Sequence, residues 1–362
     1  MSKIMKRITI IVVALLLIGS ATLFGLSLYG KEMMKKIPPL SFQEALDYTL
    51  KDNEDAIISV GIFQNGESSI TVYGNNSEVL PTTLHTYEIG SLTKTFTATM
   101  IAKASRELRI NLDETIDSYL DLPADNNYPT INELLTHTSG YKNYYFELPM
   151  VSNFLSGRND FYGINSQAIL DKVSDLEIST DDHDYNYSNF GYAVLGLVLE
   201  EVYEQDYTQL MDEYLANELN LQNTHISNKT GDLDHYWAWQ EDDAYLAAGG
   251  LVSNMEDMLA YAQLQLEERL PFSLAHRPIK EIDATTSDYE LMNIHLDTIG
   301  MSWIIDEENE IVWHNGGTGH YNSYLGFDSK TGVAVVILSN LSPNSRIPAT
   351  VLGIKLMEEL RD

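Results

Sequence analysis

The stretch formed by residues 88–108 places the strongest constraint on how this chain folds. From Phe96 onward its apolar residues recur at intervals of three and four, which is typical of a helix packed against a core. Gly90 is predicted to form a turn, and Ser91 to begin the helix. The pattern therefore predicts a buried helix with a serine at its N-terminus.

Ser91 and Lys94 are three residues apart, so one helical turn brings their side chains to the same face. A serine hydroxyl becomes a nucleophile when a neighbouring group removes its proton, and Lys94 can do so when its ammonium is neutralised. The positive end of the helix disfavours that ammonium. A plain capped core helix is the alternative interpretation. A second Ser-x-x-Lys, at Ser139 and Lys142, contains Gly140 and has no helical apolar run after it.

The charge balance excludes nucleic acid as a partner. The chain has 22 basic and 53 acidic residues, a net charge of −31. Residues 1–36 carry six basic residues and one acidic residue, so the remainder carries a net charge of −36. Such a surface repels phosphates. The chain has no cysteine, which excludes disulfides and thiolate chemistry and fits an exported protein. No metal-ligand spacing occurs, so no metal or cofactor is predicted.

The N-terminus contains a long run without charge, residues 8–29, which is long enough to span a bilayer as a helix. We therefore predict a cytoplasmic tail (1–7), a transmembrane signal anchor (8–30), a linker (31–40) and an extracellular catalytic domain (41–362) of a single-pass cell-membrane protein. The alternative is secretion after signal-peptide cleavage, with the small residues 19–21 as the cleavage site. Lysines on both sides of the run leave its orientation open.

The order of predicted elements gives the fold class. Helices are predicted at residues 41–52, 91–108, 112–120, 131–135, 190–203, 207–219, 255–266 and 347–360. Strands are predicted at 56–63, 69–73, 298–305, 311–314, 321–327 and 333–338, and residues 141–187 are predicted to be irregular and aromatic. Loops of that kind often cover sites, although plain aromatic packing over a helical lobe explains them as well. The expected fold is α/β (α+β). An antiparallel sheet is built from both ends of the chain, with flanking helices and a mostly helical lobe inserted at about residues 110–295.

Two further segments carry chemistry. Tyr187-Ser-Asn189 precedes a predicted helix. Tyrosine can transfer a proton when a neighbouring cation lowers its pKa, and asparagine can hold an amide carbonyl. His314-Asn-Gly316 ends a predicted strand, where glycine lets a substrate backbone lie against the strand edge. Each segment by itself also has an ordinary structural explanation.

The order of the three motifs resembles the serine β-lactamase and penicillin-binding protein superfamily. The resemblance is closest to the class C branch, which includes D-alanyl-D-alanine carboxypeptidases and esterases. It extends to the segments 134–140, 187–192, 248–253, 314–319, 324–328 and 335–340 and covers residues 40–360. It implies a serine hydrolase without a cofactor.

The resemblance also implies a role for each motif residue. Ser91 is the nucleophile that becomes acylated, and Lys94 and Tyr187 together manage its proton, with the identity of the base left open. The implied substrate-binding residues are Asn189, His314, Asn315, Gly316 and Gly317. The main-chain N–H groups of Ser91 and Gly317 would form the oxyanion hole.

The substrate stays open at this stage. The resemblance implies peptidoglycan stem peptides, β-lactams or related amides. The alternatives are an esterase or D-amino-acid amidase, or a penicillin-binding receptor that does not turn over. His314 replaces the lysine of many relatives, which makes strong β-lactamase activity less expected. His320 replaces a smaller residue and is expected to narrow the site.

Overall fold

The protein is described by a computed structural model that covers residues 35–228 and 231–361. Within those ranges the strands form two sheets in which all neighbouring strands are antiparallel. The strands are β1 (Ile58–Gln64), β2 (Glu67–Tyr73), β3 (Val79–Leu80), β4 (Tyr87–Glu88), β5 (His225–Ile226), β6 (Leu251–Ser253), β7 (Lys280–Glu281), β8 (Thr298–Ile299), β9 (Ile304–Asp306), β10 (Ile311–Gly317), β11 (Asn322–Asp328) and β12 (Val333–Ser339).

The helices lie mainly between the two groups of long strands. They are α1 (Phe42–Leu50), α2 (Thr93–Arg106), α3 (Ile131–Leu135), α4 (Leu148–Ser156), α5 (Ser166–Asp175), α6 (Asn189–Tyr203), α7 (Tyr207–Glu213), α8 (Leu246–Gly249), α9 (Met255–Leu266), α10 (Phe272–Ala275), α11 (Ser287–Leu291) and α12 (Ala349–Arg361). One turn of π-helix, Tyr214–Glu218, continues α7, so the predicted helix at 207–219 is present but changes its winding.

The large sheet has nine strands in the order β3-β2-β1-β12-β11-β10-β9-β8-β7. Its centre joins the two ends of the chain, because β1 pairs with β12 and places Ile58 opposite Ser339. The predicted architecture, an antiparallel sheet built from both ends with helices between, is confirmed. A smaller sheet, β4-β6-β5, lies beside the nucleophile segment and was not predicted, because its strands have only two or three residues each.

The central strand β12 is buried on both faces. Val333, Val335 and Ile337 belong to a hydrophobic core shared with α1 and α12, and the alternating Ala334, Val336 and Leu338 belong to the core shared with α2 and α9. This alternation follows the two-residue period of a strand. Such double coverage holds the neighbouring strands β10 and β11 in a fixed position between two packed layers.

Several local signals are confirmed. Ser41 caps α1 and Glu44 reaches back to the Ser41 backbone, which forms a capping box. The turn between β1 and β2 places Asn65 and Gly66 at positive φ, as the Asn-Gly pair predicts.

The predicted helix at 112–120 is wrong. Only Ile116–Ser118 form a helical turn. Thr115 instead forms a β-bridge with Thr130, and the Asn111 side chain accepts a hydrogen bond from the Asp113 amide. Side chain to backbone bonds of this kind compete with a helix.

The other predicted elements that differ from the structure lie in the middle of the chain and at the first of the C-terminal strands. Residues 141–187 contain α4 and α5, whose boundaries are set by caps: Asn165 caps α5, and Gly157 ends α4 in the left-handed conformation. The predicted strand at 298–305 is a hairpin of β8 and β9, with Thr298 opposite Ile305. Gly300 and Ser302 lie in the turn, and Ser302 has positive φ.

The predicted membrane anchor, residues 8–30, lies outside the described residues. Within the ranges that the structure describes, no helix has the length and apolar character needed to cross a bilayer.

Candidate active site

Ser91 lies in a 3-10 turn, Gly90–Leu92, that leads from β4 into α2. The helix proper therefore begins two residues later than predicted. Gly90 has positive φ, and a side chain there would overlap the Gly317 backbone. Buried threonines fill the first turns of α2, and the hydroxyls of Thr95, Thr97 and Thr99 bond carbonyls one turn back. Ser91 thus lies between a glycine packed against the end of β10 and a helix turn fixed by threonine hydrogen bonds.

Lys94 is fully buried at the centre of the site. Its Nζ lies 3.1 Å from Ser91 Oγ and donates to Asn189 Oδ1 at 2.6 Å and to the Ala248 carbonyl at 2.6 Å. Burial holds the pKa of the Lys94 amine well below its ordinary value. A neutral amine has two N–H bonds, which the Asn189 and Ala248 oxygens accept, and one lone pair. That lone pair then faces the Ser91 hydroxyl.

Tyr187 lies next to both Ser91 and Lys94. Its ring centroid is 5.0 Å from Lys94 Nζ. Burial raises the pKa of the Tyr187 hydroxyl, and a hydrogen bond with Ser91 opposes this only in part. A neighbouring cation was expected to lower this pKa, but the buried Lys94 amine itself favours the neutral form. Burial thus favours the neutral form of both groups, the protonated tyrosine and the unprotonated lysine.

His137 is a site residue that the sequence analysis did not single out. It is buried, its ring centroid lies 4.5 Å from that of Tyr187, and its Nδ1 accepts the Ser188 amide at 3.1 Å. Burial, with a smaller effect of Lys94, holds its pKa well below the ordinary value. Its Nε2 has no hydrogen-bond partner among the described residues. The segment 134–140 was the only sequence signal for it.

Asn189 begins α6, and both the oxygen and the nitrogen of its side-chain amide form hydrogen bonds within the protein. Its Oδ1 accepts from Lys94, and its Nδ2 donates to Asn143 Oδ1 at 2.8 Å. The predicted hold on a substrate amide is not tested by this arrangement. The observed bonds show that Asn189 positions Lys94.

The third motif lies on β10, and His314 faces the site. Burial, together with the nearby Lys94, lowers the pKa of His314 to about 3, so the ring is neutral at physiological pH. Its Nδ1 lies 2.6 Å from the Asn315 carbonyl oxygen. The side chain of Asn315 points to α12 and donates to Thr350 Oγ1 at 2.8 Å. The Asn315 side chain is therefore tied to α12.

Gly316 and Gly317 pack directly against the nucleophile turn. A side chain on Gly316 would overlap the Ile89 carbonyl oxygen, which already accepts the Ser323 hydroxyl at 2.8 Å. The end of β10 therefore approaches Ile89 and Gly90, just before Ser91, more closely than residues with side chains could. This supports the expected oxyanion hole from the N–H groups of Ser91 and Gly317, which stays a prediction.

A cavity of about 430 Å³ opens at this site, and Ser91, His137, Tyr187 and the residues 314–317 line it. Its wall away from Ser91 is apolar and aromatic, and consists of Tyr185, Tyr289, Leu296, Ile304, Trp313 and Pro343. The lining contains no lysine, arginine, aspartate or glutamate, and the pKa values of His137 and His314 are both lowered. The cavity is electrically neutral in a chain of net charge −31.

His320 does not line this cavity. It is exposed and stacks on His235, with the ring centroids 4.6 Å apart. The expectation that it narrows the site finds no support in this packing. In the part of the chain that the structure describes, no group of three or more acidic or histidine side chains is arranged to hold a metal ion.

A family model described as Beta-lactamase matches residues 56–352, which is most of the chain. The chain belongs to the β-lactamase family. This is a family of serine hydrolases, and the match spans every motif of the site, from Ser91 to Gly317.

Individual relatives are distant. Protein flp of Staphylococcus aureus strain MW2 is 23% identical over 280 residues, which are 71% of this chain and 53% of the relative. The chain thus spans about half the length of the curated relatives it matches.

Solved structures share the fold of this chain. A β-lactamase/D-alanine carboxypeptidase from Yersinia pestis superposes with a TM-score of 0.67 at 18% identity, over 92% of this chain and 99% of that one. A D-stereospecific amidohydrolase from a Streptomyces species gives a TM-score of 0.66 at 19% identity, over 86% and 97%.

Proposed function

We propose that the protein cleaves amide or ester bonds through an acyl-enzyme on Ser91. The observation that carries the proposal is the position of Lys94, which is fully buried and 3.1 Å from Ser91 Oγ, where burial holds the pKa of its amine well below the ordinary value. An unprotonated amine beside a serine hydroxyl is the arrangement that general-base activation of a nucleophile requires.

In the first step the Lys94 lone pair takes the Ser91 proton while Oγ attacks the substrate carbonyl carbon. The carbonyl oxygen becomes an oxyanion held by the N–H groups of Ser91 and Gly317. Tyr187, which keeps its proton, then donates to the departing nitrogen or oxygen as the carbonyl–leaving group bond breaks, and the Lys94 ammonium restores the tyrosine. In the second step water attacks the acyl carbon, its proton passes back through the same pair, and Ser91 Oγ leaves as a hydroxyl.

The first substrate candidate is a peptide amide or β-lactam. Its support is the family itself and the names of structures with this fold, which include a β-lactamase/D-alanine carboxypeptidase and a D-stereospecific amidohydrolase. Peptidoglycan stem peptides and penicillins both belong to this class, and both carry a carboxylate next to the reacting amide.

The neutral cavity favours a second candidate, an ester or amide without that carboxylate. A buried carboxylate needs a cation or several hydrogen-bond donors. His314 occupies the position on β10 where a cation would meet it, and its lowered pKa leaves it neutral. The aromatic and aliphatic wall at Tyr185, Leu296 and Trp313 suits an apolar acyl group instead.

One experiment separates the two candidates. The full chain is incubated in detergent with a fluorescent penicillin, label gain and loss are followed over time, and hydrolysis of p-nitrophenyl butyrate is measured in parallel. Transient label indicates a β-lactamase, and stable label a slow peptidase or a receptor that does not turn over. Ester hydrolysis without label supports the second candidate.

Two variants test the roles of the nucleophile and of the missing cation separately. Ser91→Ala should abolish both label and hydrolysis. His314→Lys should raise penicillin labelling relative to ester hydrolysis if the absent cation limits carboxylate substrates. An active Ser91→Ala variant contradicts the proposal as a whole, and an unchanged ratio in His314→Lys contradicts the second candidate.

We further propose that residues 8–30 anchor the protein in the cell membrane with the catalytic domain outside. The uncharged run supports this. Protease added to intact cells should digest the domain and leave a small N-terminal remnant in the membrane. Complete protection in cells with a permeable envelope contradicts the proposal, and a mature N-terminus at Thr22 would show signal-peptide cleavage instead.

A further inference from the structure

An exposed apolar surface begins next in sequence to Asn143, whose side chain contacts the site residue Asn189. Of the twelve large hydrophobic side chains that are exposed among the described residues, six fall within residues 144–155. We call them the apolar helix surface: Tyr144, Phe146, Leu148, Val151, Phe154 and Leu155. Leu148 is 80% exposed, and Phe154 and Leu155 are each 78% exposed. Isolated exposed apolar residues are ordinary, but a cluster of this kind marks a binding surface.

Helix α4 carries this surface with its orientation fixed by polar bonds. Only Met150 and Asn153 are buried on the helix, one turn apart on the inward face. Asn153 Nδ2 donates to the carbonyl oxygens of Asp160 and Tyr162, at 3.2 and 2.8 Å. The Leu148, Val151 and Leu155 side chains follow the spacing of one helical face and point outward. The helix is therefore amphipathic with its apolar side toward solvent.

The charges around α4 differ from those of the rest of the chain. Exposed Lys142 and Arg158 flank the segment, and their cationic groups lie 5.9 and 5.1 Å from the ring centroids of Tyr145 and Tyr162. The one acidic residue between them, Glu147, pairs with Lys172 at 3.6 Å. Residues 142–158 thus carry a net charge of +1 in a chain of −31.

We propose that the apolar helix surface binds the surface of a lipid bilayer. An amphipathic helix with apolar side chains on one side and flanking cations is the element that lies in a membrane interface. There, the cations of Lys142 and Arg158 meet lipid phosphates. Burying the apolar side chains offsets the repulsion that the rest of this acidic chain feels from an anionic surface. A second copy is a weaker occupant, because each copy carries −31 and the copies repel one another.

The length of the N-terminal segment supports the same partner. If residues 8–30 are the proposed anchor, about a dozen residues separate them from α1, and these span at most about 40 Å. The tether then keeps the domain close to the bilayer and raises the local concentration of lipid at α4. The inference rests on the proposed anchor for this tether, and it is independent of the catalytic role of Ser91.

Binding there has a consequence for the site. Tyr144 follows Asn143, whose side chain accepts from Asn189, and Asn189 accepts from Lys94. The apolar helix surface therefore begins one residue from the shell that positions the catalytic lysine. A bound α4 would hold the site near the lipid–water interface, where membrane-associated substrates are found.

The chain has no cysteine, so single cysteines report on one position each. Leu155→Cys is labelled with an environment-sensitive fluorophore in the full chain. The protein is reconstituted into vesicles of equal parts phosphatidylcholine and phosphatidylglycerol, with or without spin-labelled lipid. Leu108→Cys is the matched control, because Leu108 is 93% exposed and lies just after the end of α2, outside the apolar helix surface.

The label at residue 155 should emit at shorter wavelength and be quenched by spin-labelled lipid several-fold more than the label at residue 108. The change Phe154→Glu with Leu148→Glu, which alters exposed residues only, should abolish the difference. Equal quenching at both positions overturns the inference. So does a wavelength shift that depends on protein concentration and not on lipid, which would indicate a second copy.

Measuring activity at Ser91 in the same samples distinguishes failure of this inference from failure of the proposed function. Docking in samples that show neither Ser91-dependent labelling by penicillin nor Ser91-dependent ester hydrolysis would contradict only the catalytic proposal. Such activity without lipid quenching would contradict only the inference. Failure of the full chain to associate with vesicles at all overturns the inference as well.

Discussion

At the scale of single residues, Lys94 and Tyr187 act on one proton and should behave as one unit. Lys94→Met and Tyr187→Phe should each lower turnover at least about a hundredfold, and the double variant little more. The reason is that each removal interrupts the same transfer between Ser91 and the leaving group. Lys103→Met is the control, because Lys103 lies on the same helix but pairs with Glu107 at the surface. Fully additive losses in the kinetic cycle would contradict a shared role.

The sequence motifs singled out residues that lie together in the structure, and their catalytic roles stay predictions. Ser91, Lys94, Tyr187 and His314 come together as expected. Three contributions could not be predicted: the Ala248 carbonyl, the Asn143 amide and the His137 ring. They come from segments that are distant in the chain, and none has a residue pattern that specifies its contact with Lys94, Tyr187 or Asn189. The raised pKa of Tyr187 follows from burial, which only the packed structure defines.

At the scale of elements, Glu88 joins β4 to the segment after β10. The buried Glu88 carboxylate accepts from the Thr318 hydroxyl at 2.6 Å and from the Trp237 amide. Burial raises its pKa from the ordinary 4.5 to about 7 despite these two bonds. A carboxyl group with a higher pKa in the folded state favours folding at low pH. This stabilisation is fully present below pH 4.5 and is lost as the pH rises through about 7.

The change Glu88→Gln tests this. Between about pH 5 and about pH 8 the wild-type free energy of unfolding should fall by up to about 3 kcal/mol more than that of the variant. Glu67→Gln, at an exposed position on β2, should leave the wild-type pH dependence intact. Chemical denaturation at both pH values gives the comparison. Parallel pH profiles for wild type and Glu88→Gln would show that Glu88 is not the titrating group.

Elements were predicted well where apolar periodicity reflects burial, and poorly elsewhere. Three helices bury one apolar face or are buried on all sides, and the spacing of their apolar residues predicted them correctly: α1, α6 and α9. α4 was missed because its apolar residues face solvent, so its sequence looks like an aromatic loop. The hairpin of β8 and β9 was read as one strand because its turn, with Gly300 and Ser302, is short and continues an apolar run.

At the scale of the whole molecule, the acidity should make stability depend on salt. Residues 37–362 carry a net charge of −36, and crowded carboxylates repel one another in the folded state. The Debye length falls from about 10 Å at 0.1 M salt to about 3 Å at 1 M. The melting temperature should therefore rise between low and molar sodium chloride.

Salt also strengthens hydrophobic burial, so a charge-neutralised control is needed. Glu54→Gln with Asp55→Asn changes two exposed acidic residues that follow α1. Its melting temperature should rise less with salt than that of the wild type. An equal gain in both proteins would show that the effect of salt does not come from carboxylate repulsion.

The central claim is that Ser91 forms the acyl-enzyme, and intact-protein mass spectrometry after exposure to a reactive penicillin or activated ester tests it most directly. The account predicts one acyl adduct on the wild type and on Ser139→Ala, whose serine belongs to the second Ser-x-x-Lys in the chain. It predicts no adduct on Ser91→Ala. An adduct of the same mass that persists on Ser91→Ala, or that disappears from Ser139→Ala alone, would contradict it.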